Sequence, residues 1–460
     1  MTIPVESFVR RRGGVVVLAL ALVACDVQEI LDVPDPDVAT PISIENKTAL
    51  PAVLAGAQAD LMVAYNGNVS TNLVTGTGLI TDELIHAETF PTRIEFDQRN
   101  IQASSNGDLE TVFRNLHRAR ISASRAAEAY VKFDTTQHRG WAESLSIEGF
   151  TYVMFGENWC NGMPFSRLDA SNNPVFGDGI SNDSMFALAI ARFDSALKVI
   201  GAVPPTASDT TQTYIARVGK ARALLNRGQF AAAAAVTSAA PTVPQTFTYS
   251  INHSDNTTRQ QNGTFTLIYD GRRFGVGNSE GTVGLPFRTD GDTAGTVLDP
   301  RVRNGRGAGT AAFGFDGATQ LFQEKKYPLR TTAIVVASGV EARLIEAEAD
   351  LQAGGVAWVT TLNTLRTSNN PPMAGTLVPG ATTAASQDLF FKERAYFLWL
   401  TAHRLGDMRR LIRQYGRLAN SVFPNGAYAK GGIYGGDINF PISFDEKNNP
   451  KFVECTDRNP

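Results

Sequence analysis

The densest set of side chains that could do chemistry lies near the C-terminus: Glu393-Arg394, then His403-Arg404-Leu405-Gly406-Asp407-Met408-Arg409-Arg410. A histidine among carboxylates and guanidiniums could move protons or hold an anion. The spacing argues for a different role. Arg404, Asp407 and Arg410 are three residues apart, so on a helix they share a face and can form ion pairs. Phe390, Phe391, Tyr396, Phe397, Leu398, Trp399 and Leu400 surround them, which predicts a helix packed nearly all round with its charges paired inside the fold. Glu393, Arg394, Arg404, Asp407 and Arg410 are therefore read as structural ion pairs.

Other patterns are weaker. Gly277-Asn278-Ser279-Glu280-Gly281 satisfies G-x-S-x-G, but a nucleophile elbow needs a buried strand before the serine and a helix after it. Arg272 and Arg273 precede it, and Thr282-Val283-Gly284-Leu285-Pro286 discourage a helix. The histidines (His86, His117, His138, His253 and His403) are scattered without metal-ligand spacing. No phosphate loop or dinucleotide fingerprint occurs. These residues predict no catalytic site, no metal, no cofactor and no enzyme.

The cysteines are more informative. Arg10-Arg11-Arg12 precede a 12-residue apolar stretch, Gly13 to Ala24, which is too short to span a bilayer and reads as a secretory signal. Leu22-Val23-Ala24-Cys25 resembles the lipobox of bacterial lipoproteins, which implies cleavage before Cys25 and acylation of that residue. An ordinary signal peptide with a coincidental Cys is the plain alternative. Lipidation leaves Cys160 and Cys455, an even pair in an oxidising compartment, and suggests a disulfide between them; two separate buried thiols is the other reading. Losing the leader takes the net charge from −3 to about −5, and no basic stripe suggests nucleic acid. No later segment reaches 18 consecutive apolar residues.

The elements that must position these residues read mainly as helices. Residues 1–24 are the signal and 25–41 a proline-rich lipidated tether. Helices are predicted from Ala49 through Tyr65, over 109–131, 141–157 and 184–200, and from near Asp388, with a polar loop region containing Phe90, Phe96 and Arg99 between the first two. Ala221-Arg222-Ala223-Leu224-Leu225-Asn226-Arg227-Gly228 aligns with Ala347-Glu348-Ala349-Asp350-Leu351-Gln352-Ala353-Gly354, each an Ala-rich helix, a Gly turn and a second helix. These pairs are similar to tetratricopeptide repeats. Thr, Gly, Asn and aromatic residues dominate 241–336, with short alternating runs such as Thr246-Phe247-Thr248-Tyr249. The predicted fold is a mainly α, tetratricopeptide-like helical-repeat scaffold: an N-terminal part over 42–240, a loop-rich, partly β insertion over 241–336, and a C-terminal helical part over 337–460 that completes the same domain.

Several stretches, in order, carry a family resemblance. Glu393-Arg394, His403-Arg404 and Asp407-Met408-Arg409-Arg410 look like the ER…GHR..DLRR signature of SusD/RagB-type outer-membrane lipoproteins. Cys25 to Pro34, Phe155-Gly156-Glu157-Asn158 through Met163-Pro164-Phe165, Asp299-Pro300-Arg301, Val340 to Gly354, and Phe440-Pro441-Ile442 with Asn449-Pro450 resemble further segments of that family. The chain departs from it at Phe397, often Glu, at Thr401-Ala402, commonly Glu-Gly, and at Ser443, commonly Pro, which marks a divergent branch.

The resemblance implies a surface-exposed, lipid-anchored outer-membrane protein. Such a protein binds an oligomeric nutrient, glycan before peptide, and delivers it as a lid to a SusC-like TonB-dependent transporter. A sugar site would present aromatic faces and Asn, Asp or Arg for hydroxyls. Asp82, Glu83, Phe90, Phe96 and Arg99 early, and Tyr269, Arg272, Arg273, Phe274 and Phe287 in the insertion, are the candidates, each with a plain alternative as loop-anchoring core. Trp141, Trp159, Trp358 and Trp399 read as core. A helical-repeat scaffold that binds a protein at the envelope is the alternative function; a secreted hydrolase lacks its constellation.

Overall fold

The computed structural model describes residues 45–169, 171, 173–202, 206–292 and 298–459; the leader, Cys25 and the tether lie outside them. Met1–Ala49 and Leu50–Pro460 form two units. In the first, Lys47–Ala49 makes a 3-10 turn. All other elements belong to the second.

The helices that carry the second unit are set by caps and apolar stripes. After α1 (Leu50–Asn66), α2 (Leu73–Ile80), β1 (Leu84–His86) and α3 (Pro91–Asp97) comes α4 (Gly107–Phe133). Asn106 caps α4 by accepting the Leu109 amide at 2.9 Å, and Asp108 and Glu110 in its first turn complement the helix dipole. Its buried stripe runs Val112, Phe113, Leu116, Ala119, Ala123 and Ala126. There follow α5 (His138–Asn158), α6 (Asn182–Ile200), α7 (Ala207–Asn226) and α8 (Phe230–Ser238). Phe193 of α6 fits between Gly149 of α5 and Gly219 of α7; a Cβ at Gly219 would lie 2.2 Å from that ring.

Each of these helices from α4 onward packs on the next, and the series continues through α9 (Gly339–Gln352) and α10 (Ala357–Thr367). The aligned repeat copies are α7–α8 and α9–α10, turned by Gly228 (φ +71°) and Gly354 (φ +76°), where a left-handed backbone favours glycine. Ala221, Leu225 and Ala233 of one copy pack on Ile345 of the other. The mainly α, repeat-like scaffold is the observed fold.

One expectation needs correction here. The early polar loop region holds α2, β1 and α3, because Asn72 forms a capping box with Thr75 and Pro91 starts a short helix at its first turn. The insertion has the expected short strands, and one of them pairs outside it. It contains β2 (Thr248–Ile251), β3 (Phe274–Val276), β4 (Asn304–Arg306) and β5 (Phe322–Glu324), followed by β6 (Ile334–Ser338). β4 pairs with β5 and β2 with β6, but β3 pairs antiparallel with β1, matching His86 to Phe274.

The C-terminal charged segment is also two helices, not one: α11 (Thr383–Phe397) and α12 (Arg404–Arg413). Between them Leu400 (φ +53°) and Ala402 (φ +57°) are left-handed. Tertiary bonds hold this turn. Glu83 accepts the Leu400 amide at 2.9 Å, the Tyr327 hydroxyl donates to the Leu400 carbonyl at 2.8 Å, and Tyr65 donates to the Thr401 carbonyl at 2.6 Å.

The break redirects the predicted ion pairs. Asp407 pairs with Arg394 at 2.8 Å and Arg410 at 2.7 Å, while Arg404 turns away to grip Asp82 with two 2.7 Å bonds. Glu393 pairs with Arg301 at 2.6 Å and Arg366 at 3.1 Å. Trp159, Trp358 and Trp399 are buried and Trp141 half-buried. Cys160 and Cys455 form a disulfide that ties the C-terminal tail to the end of α5.

Ala402 holds its left-handed conformation where the resembled family commonly has glycine, and an L side chain there costs roughly 1–2 kcal/mol. Ala402→Gly should therefore raise stability by about 0.5–1 kcal/mol, after the extra freedom of glycine in the unfolded chain is discounted. Urea unfolding of the two proteins measures it; a net loss would mean that packing of the buried Cβ outweighs the strain.

Candidate functional site

The β1–β3 pairing brings the early segment and the insertion to one face. Beyond the strands the pairing continues irregularly: the Ala87 amide donates to the Arg273 carbonyl at 2.8 Å, Phe315 to Arg272 at 2.8 Å, and Asp316 to Ala87 at 3.2 Å. These bonds set Phe90, Arg273 and Phe315 side by side. The Arg273 guanidinium lies 3.9 Å from the Phe315 ring centre and 5.2 Å from that of Phe90, so it makes a cation–π contact with each ring. Both phenylalanines are 49% exposed. Fully buried Glu88 fixes the assembly from beneath, accepting from Arg273 at 2.8 Å and from Arg93 at 2.6 Å. The result is a preorganised aromatic platform with a charged centre.

Beside the platform is a polar cleft of about 480 Å³. His86, Asp97, Glu280, Arg288, Asp316 and Tyr428 line it, with Lys430 from a hairpin closed by the Ala427–Ile433 bridge. Lys430 joins the two sides through Asp316 at 2.7 Å and also approaches His86 Nδ1 at 3.3 Å. Burial, then the Lys430 charge, hold the His86 imidazole down to about 3, so it is neutral here. Asp97 accepts the Tyr428 hydroxyl at 2.7 Å and the His86 amide at 2.9 Å; burial outweighs both bonds and pushes its carboxyl up to about 7. Burial also raises Glu280, which accepts from Tyr434 at 3.2 Å. The cleft thus offers donors, acceptors and charge beside apolar rings, which suits a polyhydroxylated ligand. Among the described residues no group of three or more His, Cys, Asp or Glu could hold a metal.

The sequence-selected candidates divide by burial. Phe90 and Arg273 form the platform, and Arg272, left-handed at φ +53°, borders it while donating to the Thr310 carbonyl at 2.6 Å. The others are corrected to internal roles, because the loops pack into the helical frame. Asp82 is taken by Arg404 and by the Leu285 amide at 2.8 Å. Glu83 caps the α11–α12 turn, and burial raises its carboxyl to about 8. Phe96 packs on Phe440, and Arg99 lies over the Phe423 ring and donates to the Asp437 carbonyl at 2.8 Å. Tyr269 donates to the Glu324 carbonyl and stacks on Phe265, Phe274 is fully buried, and Phe287 lies against Tyr396 and Trp399. Sequence reasoning missed Phe315, Asp316, Asp97, Tyr428 and Lys430. Phe313-Gly314-Phe315-Asp316-Gly317, two aromatics in a turn, was the available signal.

Asp97 gives the site a pH signature. Its folded value lies above the ordinary carboxylate value near 4, so the folded protein keeps a proton that the unfolded chain releases. That stability is present at low pH and is lost as pH rises from about 4 to about 7. The fall in Tm between about pH 4 and pH 7 should be shallower in Asp97→Asn than in the wild type. Parallel thermal scans test this, and identical slopes would rule Asp97 out as a contributor.

No family model and no curated relative matches the chain. Its structure is similar to many solved ones. A SusD-like carbohydrate binding protein from Bacteroides vulgatus superposes with TM-score 0.62 at 14% identity, over 89% of this chain and 97% of that one. A SusD-like protein from Bacteroides fragilis gives 0.65 at 13%, over 91% and 98%, and surface glycan-binding protein A from Bacteroides thetaiotaomicron gives 0.61 at 11%, over 90% and 100%. With helices, insertion and C-terminal segment all covered at such low identity, the likeness is one of architecture, and the chain has the SusD-like fold.

Proposed function

We propose that this protein is a surface glycan-binding lipoprotein that captures an oligosaccharide and delivers it to a TonB-dependent outer-membrane transporter, acting as a lid and performing no catalysis. The observation that carries the reading is the exposed Phe90–Arg273–Phe315 platform beside a polar cleft. Two phenyl faces suit the apolar face of a pyranose, and the cleft groups suit its hydroxyls. The likeness to proteins described as carbohydrate-binding or surface glycan-binding adds to it. In this reading Cys25 carries the lipid, 25–41 is the tether, and 42–240, 241–336 and 337–460 work as one domain whose insertion supplies half of the platform. No helix among the described residues is long and apolar enough to cross a membrane, so attachment falls to the anchor.

Isothermal titration against glycan and peptide panels tests the ligand. Phe315→Ala or Phe90→Ala should weaken binding of a retained oligosaccharide about tenfold each, with Tm little changed because both rings are half-exposed. Equal affinity in both variants, or retention of peptides alone, would refute the platform. Separately, Cys25→Ala should release the protein from membranes, and continued retention without lipid would refute the anchor.

A further inference from the structure

The charges of the cleft are almost all matched within the protein. Lys430 is matched by Asp316, and Asp316 is also tied into its own turn by Ala318, Thr319 and the Thr319 hydroxyl. His86 is neutral, Asp97 is bonded by Tyr428, and Glu280 is bonded by Tyr434 and the Asn278 amide at 3.0 Å. Arg288 is the exception. It lines the cleft half-buried, with its guanidinium 4.5 Å from the Phe322 ring centre, and that guanidinium makes no ion pair or hydrogen bond among the described residues. Nearby arginines are treated differently: Arg93, Arg273 and Arg301 each have a carboxylate within 3 Å.

A guanidinium held by a ring on one face keeps its in-plane donors free, in a fixed fork that matches a carboxylate or another planar or tetrahedral oxyanion. The ring fixes its position, so little conformational freedom is lost when an anion arrives. The other cation of the cleft, Lys430, is already matched by Asp316, and Glu280, although it feels the Arg288 charge, bonds to Tyr434 and the Asn278 amide rather than to the guanidinium. Arg288 is therefore the one cation of the cleft whose guanidinium donors no partner takes up among the described residues.

We propose that the ligand of this site is an acidic glycan, whose carboxylate or sulfate group is received by Arg288 while a neighbouring sugar ring lies on the Phe90–Phe315 platform. The proposal rests on the glycan-binding reading and narrows it. Arg288 then selects between acidic and neutral sugars, and the platform supplies affinity for both.

The test uses the full chain and three probes in isothermal titration: a hexuronate oligosaccharide, its carboxyl-reduced counterpart of the same length, and a sulfated neutral glycan. The hexuronate or the sulfated glycan should bind about 10- to 100-fold more tightly than the reduced form, the range of a charge-assisted hydrogen bond, and which of them does so identifies the anion. The preference should vanish in Arg288→Gln and survive in part in Arg288→Lys, with unchanged Tm in both. Equal binding of the three, or a preference that persists in Arg288→Gln, would overturn the proposal. If the reduced form alone binds and Phe315→Ala weakens it, acidic selection fails while glycan binding stands. If none of the three binds, both readings fail.

Discussion

Fully buried ion pairs centred on α12 hold the rest of the molecule in register. Arg410 lies between Asp407 and Glu348, Arg394 completes Asp407, and Arg222 of α7 is clasped by Glu157 of α5. All of these groups are buried, so an unmatched charge would cost several kcal/mol and each pair enforces its partner's position. Burial opposes ionisation of Asp407, but Arg394 and Arg410 outweigh it and hold its carboxyl at about 2. Arg409 forms no ion pair among the described residues; it donates to the Gly156 and Glu157 carbonyls at the C-terminal end of α5, where the helix dipole favours a cation. A single ten-residue helix thereby binds α5, α9, α11 and the loop before β1.

The same network reaches the Phe90–Arg273–Phe315 face. Arg404 holds Asp82 and the α11–α12 turn holds Glu83, and these two residues lead directly into β1. Glu88 and Phe90 follow within the same segment, and β3 delivers Arg273 opposite them. The exposed rings are thus mounted on a strand pair whose base is fixed by buried charge, which suits a binding platform that must not rearrange on contact.

The departures from the resembled family make physical sense in this setting. Phe397 stands where a glutamate is common, and its ring makes a cation–π contact 4.3 Å from the Arg301 guanidinium. Arg301 does not lose its charge partners, because Asp299 and Glu393 both reach it at 2.6 Å. Ala402 accepts a strained backbone because the bonds from Tyr65, Tyr327 and Glu83 over-determine the turn.

By itself the sequence determined the long scaffold helices and the pairing of the two repeat copies. Apolar stripes at helical spacing, Ser, Thr and Asn caps, and glycines at Gly228 and Gly354 are local features, and local physics places them. The charged C-terminal segment was legible as structural for the same reason, since so many bulky apolar neighbours leave charges no route to water. Tertiary structure alone decided which charges meet: Arg404 finds Asp82, more than 300 positions away, because the left-handed turn at Leu400 and Ala402 redirects it. It also decided which loop residues face out. Asp82, Glu83, Phe96, Arg99 and Phe287 look no different in sequence from Phe90 and Arg273, yet only the latter two stand on the platform. Exposure is a property of what packs above a residue, and the β1–β3 pairing that sets it joins strands nearly 200 residues apart.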